Sequence, residues 1–190
     1  MTVGRLTITQ PDSLSEGAVT LRPWHKDFAP ALAERINDQA VAEFMDTVPQ
    51  PYSLADAHDF IGRSREGWLT GDTTNFAIFV DGIEGATGGL GVHWNEREQG
   101  VAEIGYWVGA EARGRDVATT ATRLGARWAF EAAPDLERLQ LRADEQNIAS
   151  NRVAEKAGFT REGVLRSSRY NARLERRVDF VMWSLLRHEL

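Results

Sequence analysis

The stretch "EIGYWVGAEARGRDVATTATRLGARWAF", Glu103 to Phe130, decides how this chain is read. "EIGYWV" is rich in β-branched and aromatic side chains and reads as part of a strand that begins at Val101. "GAEARGRD" then turns the chain. From Val117 onward, apolar or small residues recur at Ala121, Leu124, Gly125 and Trp128, a spacing that places them on one face of a helix. Pro134 ends that helix. The first N–H groups of a helix have no partner within it, and the helix dipole adds positive potential at that end. Arg113 and Arg115 add charge, and Gly114 allows close approach. Two readings follow: a phosphate or pyrophosphate site, or a surface turn with two solvated arginines. No Gly-Lys-Ser/Thr follows, so this is not a Walker loop, and the dinucleotide GxGxxG pattern is also absent.

Before this stretch, "VTLRPW" (19–24) alternates like a strand. Residues 28–45 read as a helix in two pieces. Ser53 with Asp56 looks like a capping box, and its helix runs to about Leu69. "NFAIFV" (75–80), "ATGGLGVHW" (86–94) and "VAEIGYWV" (101–108) are linked by short turns and predict an antiparallel meander. After the central helix come a strand "RLQLRA" (138–143) and a helix from Ser150 ended by Gly158. The final strands, "TREGVLR" and "RRVDFVMWSLL", should pair antiparallel. The sum is seven strands in a mixed, mostly antiparallel sheet with helices on both faces, an α/β (α+β) domain. Residues 1–17 read as a loose arm or a short added strand, and 18–190 as one domain.

The whole chain sets further bounds. No apolar run approaches the roughly 18 residues of a membrane span. The opening "MTVGRLTITQPDSLSEG" does not resemble a secretory signal, and the chain has no cysteine, so the cytoplasm is the expected location. The net charge of −6 argues against a large nucleic-acid footprint. Arg161, Arg166, Arg169, Arg173, Arg176 and Arg177 form either a solvated hairpin or a binding surface. His25, His58, His93 and His188 are scattered, so no metal is expected; His93 would line a cleft if it is not an ordinary edge residue. The tryptophans read mostly as core, with Trp94 and Trp107 as candidate pocket walls.

"RGRDVATTA" resembles the Arg/Gln-x-x-Gly-x-Gly/Ala motif of the GNAT N-acetyltransferase superfamily. "VTLRPW", "AEIGYWV", "NIASNRVAEKAGFTREGVLR" and "DFVMWSLL" are similar, in order, to segments of its RimJ/RimL-like branch, the ribosomal-protein N-terminal acetyltransferases. The similarity spans about residues 19 to 187. It implies a splay between the fourth and fifth strands of the family sheet and acetyl-CoA bound at the turn. Backbone N–H groups of Arg113, Gly114, Arg115, Asp116, Val117 and Ala118 would cradle the pyrophosphate, with the Thr119 hydroxyl beside them. Pantetheine would pair with backbone near Tyr106, Trp107 and Val108. Asn147 matches the family asparagine that meets the pantetheine arm, and Asn151 and Arg152 would contact CoA. Asp116 replaces the motif's inner glycine. Its carboxylate is expected to cap the helix, and to weaken CoA binding by competing for the same donors.

Acetyl transfer to an amine needs a base for the ammonium proton and an acid for the leaving thiolate. The resemblance makes Glu103 the first candidate base, in an apolar surround, against a structural glutamate bonded to backbone or to an arginine; Asp144 and Glu145 are rivals. Ala154 stands where many members carry an acidic tyrosine. Ser150 is the candidate acid, or else the N-cap of its helix, and Tyr170 is a distant second. The acceptor is a protein N-terminal α-amine, or else a small-molecule amine such as an aminoglycoside, polyamine or amino acid; a non-catalytic acyl-CoA-binding protein is the third reading. The final hairpin leaves a homodimer open.

Overall fold

Local capping signals set where the helices begin. The computed structural model describes residues 8–190; the first seven residues of the expected arm lie outside them. Ser53 accepts from the Asp56 N–H while Asp56 accepts from the Ser53 N–H, so the capping box opens α3 (Leu54–Thr70). Asp38 caps α2 (Gln39–Phe44), which follows α1 (Ala29–Ile36). The strands are β1 (Leu14–Glu16), β2 (Val19–Pro23), β3 (Thr73–Val80), β4 (Gly88–Glu96), β5 (Val101–Val108), β6 (Arg138–Asp144), β7 (Thr160–Asn171) and β8 (Arg176–Leu186). Two more helices, α4 (Val117–Ala132) and α5 (Ile148–Lys156), lie in the second half.

Among the described residues one sheet runs in the order β1-β2-β3-β4-β5-β6-β8-β7, with β5–β6 its only parallel pair. That makes eight strands among the described residues, where the sequence predicts seven. The extra one is β1, which turns through Gly17 (φ +56°) and pairs with β2 at the sheet edge. Arg123 and Arg127 of α4 hold Glu16 of β1.

Strand alternation divides the core in two. Phe76, Ile78 and Val80 of β3 and Ala102, Ile104 and Val108 of β5 pack with Ala121, Leu124 and Trp128 of α4. Ala77 and Trp107 face the other way, against Leu32 and Ile36 of α1 and Ala57 and Ile61 of α3. Trp94 belongs to the first cluster, donating to Thr74 Oγ1 at 3.2 Å, so it is core and not a pocket wall. Among the described residues, no helix is long and apolar enough to cross a membrane.

The β5–β6 pair positions everything that follows. Val101, Ala102 and Glu103 pair with Arg138, Leu139 and Gln140, and there the ladder stops. β6 stays paired with β8 through Asp144, and β5 with β4 through Val108, so the two strands diverge and a wedge opens between them. This is the expected splay.

Candidate active site

The basic turn lies at the end of β5. A 3-10 turn, Ala110–Ala112, uses the Arg113 N–H, which donates to Ala110 O at 3.3 Å. The first bond of α4 runs from the Thr120 N–H to Asp116 O at 2.9 Å. Between them, the N–H groups of Gly114 to Thr119 have no acceptor among the described residues. Six unpaired N–H donors at a helix start are an arrangement that can hold an anion such as a phosphate. The Arg113 side chain does not join them. It donates to Val108 O at 3.1 Å and pairs with Asp38 at 2.5 Å, bracing the loop against α2. That guanidinium holds the Asp38 carboxyl below the usual carboxylate range. Arg115 is exposed.

Asp116 departs from the sequence expectation. Its backbone is left-handed (φ +55°, ψ +16°), the region glycine adopts without strain, and its side chain makes no cap bond. A capping side chain needs an extended backbone, as Ser53 (φ −92°, ψ +167°) and Asp38 (φ −73°, ψ +134°) have. The Asp116 carboxylate instead accepts from Lys156 Nζ of α5 at 2.7 Å, which lowers its pKa. It does not compete for the helix donors.

At the wedge, Tyr106 OH and Ser150 Oγ lie 3.0 Å apart. Burial pushes the Tyr106 phenol up to about 12, with the Ser150 bond acting the other way. Ser150 is not the N-cap. Asn147 fills that place, its side chain accepting from the Ser150 N–H at 3.0 Å, which leaves the serine hydroxyl free for Tyr106. Asn151 donates to Asp144 O and Asn147 O, both at 2.9 Å, and accepts from the indole of buried Trp183 at 2.9 Å. Its side chain is committed to holding the start of α5. Arg152 is exposed.

A cavity of about 700 Å³ runs from this wedge across the sheet to the α1–α3 side. Trp107, Tyr106, Ser150 and Asn147 line one part of it, and Phe44, Met45, Val48 and Phe60 another. Its floor includes Gly91 and Gly105, which face each other across β4 and β5. Glu103 lies on the wall, but in ion-pair contact with Arg142 at 2.6 Å instead of the expected apolar surround. Strand pairing explains this: β6 is joined to β5 at Glu103 and carries Arg142 two residues beyond its partner Gln140. Asp144 also lines the cavity, with its Oδ1 accepting from the Gln146 N–H at 2.8 Å, whereas Glu145 is exposed and outside it.

The arginine-rich hairpin turns inward. Arg169 pairs with Asp46. Arg173 donates to Ala42 O and Val48 O, and Asn171 to Glu43 O. Arg176 and Arg177 bond Gln146 and Ser167. Arg169, Asn171 and Arg173 fasten the hairpin over α2 and the following loop, closing one side of the cavity.

The acetyltransferase (GNAT) domain family matches residues 18–160. The chain belongs to this family. A GNAT N-acetyltransferase takes acetyl from acetyl-CoA and passes it to an amine. Among its relatives, N-acetyltransferase p20 of Bacillus licheniformis is 28% identical, with 94% of this chain and 98% of that protein covered. YdaF of Bacillus subtilis (strain 168), a candidate ribosomal N-acetyltransferase, is 30% identical with 90% and 92% covered. The solved structure of Mycobacterium smegmatis RimJ with CoA-disulfide is 25% identical and superposes with a TM-score of 0.83, covering 95% and 90%. The sequence missed the Tyr106 hydroxyl and Lys156 as site groups. Their partners lie 44 and 40 residues away, and no local pattern signals either contact.

Proposed function

We propose that the acceptor of this N-acetyltransferase is the α-amine of a protein N-terminus. The observation that carries the reading is the charge of the cavity. Its charged lining residues are Arg63, Arg142, Arg169, Glu103 and Asp144. A cleft that selects polyamines or aminoglycosides concentrates negative charge, and this one mixes both signs around an apolar wall. The likeness to YdaF and RimJ supports the same reading.

In this reading, the N–H groups of Gly114 to Thr119 hold the CoA pyrophosphate, and Arg115 and Arg152 supply positive charge around it. Pantetheine lies in the β5–β6 wedge along Tyr106 and Trp107, beside Asn147. The Val108 carbonyl is already used by Arg113. Ser150 hands a proton to the departing thiolate, and Tyr106 fixes the direction of its hydroxyl. Glu103 attracts the incoming ammonium. The domain comprises residues 18–190, with β1 added to its edge, and works in the cytoplasm.

The test is thiol release from acetyl-CoA with peptides bearing Ser or Ala termini, run beside polyamines, aminoglycosides and free amino acids. The peptides should give the highest kcat/KM. A small amine turned over faster than every peptide would overturn the assignment.

A further inference from the structure

We infer that His93 is the general base that takes the proton from the acceptor ammonium. The inference rests on the acetyl-transfer reading of this cavity. The usual expectation, Glu103, has its Oε2 engaged by Arg142 at 2.6 Å. His93 stands directly opposite Glu103 across the β4–β5 ladder. Residues so paired point to the same face, with Cβ atoms about 5 Å apart. His93 also lines the cavity, and its side chain has no hydrogen bond or ion pair among the described residues.

The glycine floor brings its imidazole to the right place. A Cβ on Gly91 would lie 3.7 Å from His93 Nε2 and 2.5 Å from Asn75 Oδ1. The ring therefore leans along β4 over Gly91. Gly91 faces Gly105 on β5, where an added Cβ would meet nothing within 4 Å. The space above Gly105 is thus an open pocket beside the wedge. Glu103 and Trp107 flank it along β5, and Nε2 of His93 reaches toward it from β4. An amine seated there has a free nitrogen base on one side and a fixed carboxylate on the other. The charged groups lining the cavity around it are Glu103, Arg142, Arg63, Arg169 and Asp144. Of these, Glu103 stands opposite the imidazole and would stabilise it once it is charged.

The step balances. The acceptor R–NH3+ gives one proton to Nε2, which frees the nitrogen lone pair to attack the thioester carbon. The C–N bond forms and the C–S bond breaks; Ser150 gives its hydroxyl proton to the departing sulfur, and the second proton of that nitrogen restores the hydroxyl. The imidazolium then returns its proton to water.

The experiment is the pH profile of kcat/KM for wild type, His93→Gln and Glu103→Gln, with whichever peptide or amine turns over fastest. CoA affinity and melting temperature are measured in parallel. Wild type should lose activity as the pH falls, because a protonated base cannot take the proton. His93→Gln should lower kcat about 100-fold, erase that acid limb, and leave CoA affinity and melting temperature unchanged. Added imidazole should restore part of the rate. Near-wild-type turnover in His93→Gln, or an acid limb erased only by Glu103→Gln, would overturn the inference. The choice of acceptor in the wild-type panel tests the N-terminal reading separately, since it does not depend on either variant.

Discussion

Replacing Asn151 with alanine separates a structural role from a cofactor role at the start of α5. The side chain makes three bonds: two to the carbonyls of Asp144 and Asn147, and one from the Trp183 indole. Trp183 is 7% exposed, so water cannot replace the lost acceptor. An orphaned buried donor costs about 1–3 kcal/mol, and losing the two carbonyl bonds adds about 1 kcal/mol. The sum is about 2–4 kcal/mol, which for a domain of this size lowers the melting temperature by about 4–16 °C. Asn151→Asp keeps an acceptor for the indole but sets a carboxylate oxygen against the two carbonyls, so it should destabilise at least as much as alanine. Because Ser150 and Asn147 sit on the same turn, kcat should fall with stability. The assay is thermal unfolding by circular dichroism, with calorimetric titration of CoA. An unchanged melting temperature together with weakened CoA binding would refute this reasoning and make Asn151 a cofactor ligand.

Other positions give sharper functional contrasts. Asp116→Gly relieves the left-handed backbone and removes a negative charge near the anion cradle, so calorimetry should show CoA binding several-fold tighter; unchanged binding would leave the residue without a role at that site. A Cβ added at Gly105 would meet nothing within 4 Å, so Gly105→Ala should fold and bind CoA while acceptor KM rises; wild-type kinetics would place the acceptor elsewhere. Glu162 is held down to about 2, first by Arg138 and then by Ser184, from an ordinary value of 4.5. A depressed carboxyl stabilises the fold above its unfolded value and ceases to do so as pH falls through the folded one. Wild type should therefore lose stability between pH 4.5 and about 2, and Glu162→Gln should show a shallower decline there, read by acid titration of the melting temperature.

The sequence by itself determined the elements and most of the turn's chemistry. The capping box at Ser53, the face from Val117 to Trp128, the meander of β3 to β5 and the donor-rich turn after Val108 all depend on residues within a few positions of one another. Backbone hydrogen bonding and side-chain periodicity are local, so they are written in spacing. The tertiary structure decided where the polar side chains point. In sequence Asp116 reads as a cap, but its left-handed backbone turns the carboxylate to Lys156. Ser150 stands in sequence where a cap could lie, but Asn147 takes that place and frees the hydroxyl for Tyr106. Glu103 meets Arg142 only because a parallel pair of strands joins and then parts. The arginines of the last hairpin look like a surface patch in sequence, yet Arg169 reaches a carboxylate 123 residues away. A charged side chain settles on the best partner the fold brings within reach, and that partner is set by strand order and divergence, which no short window of residues contains.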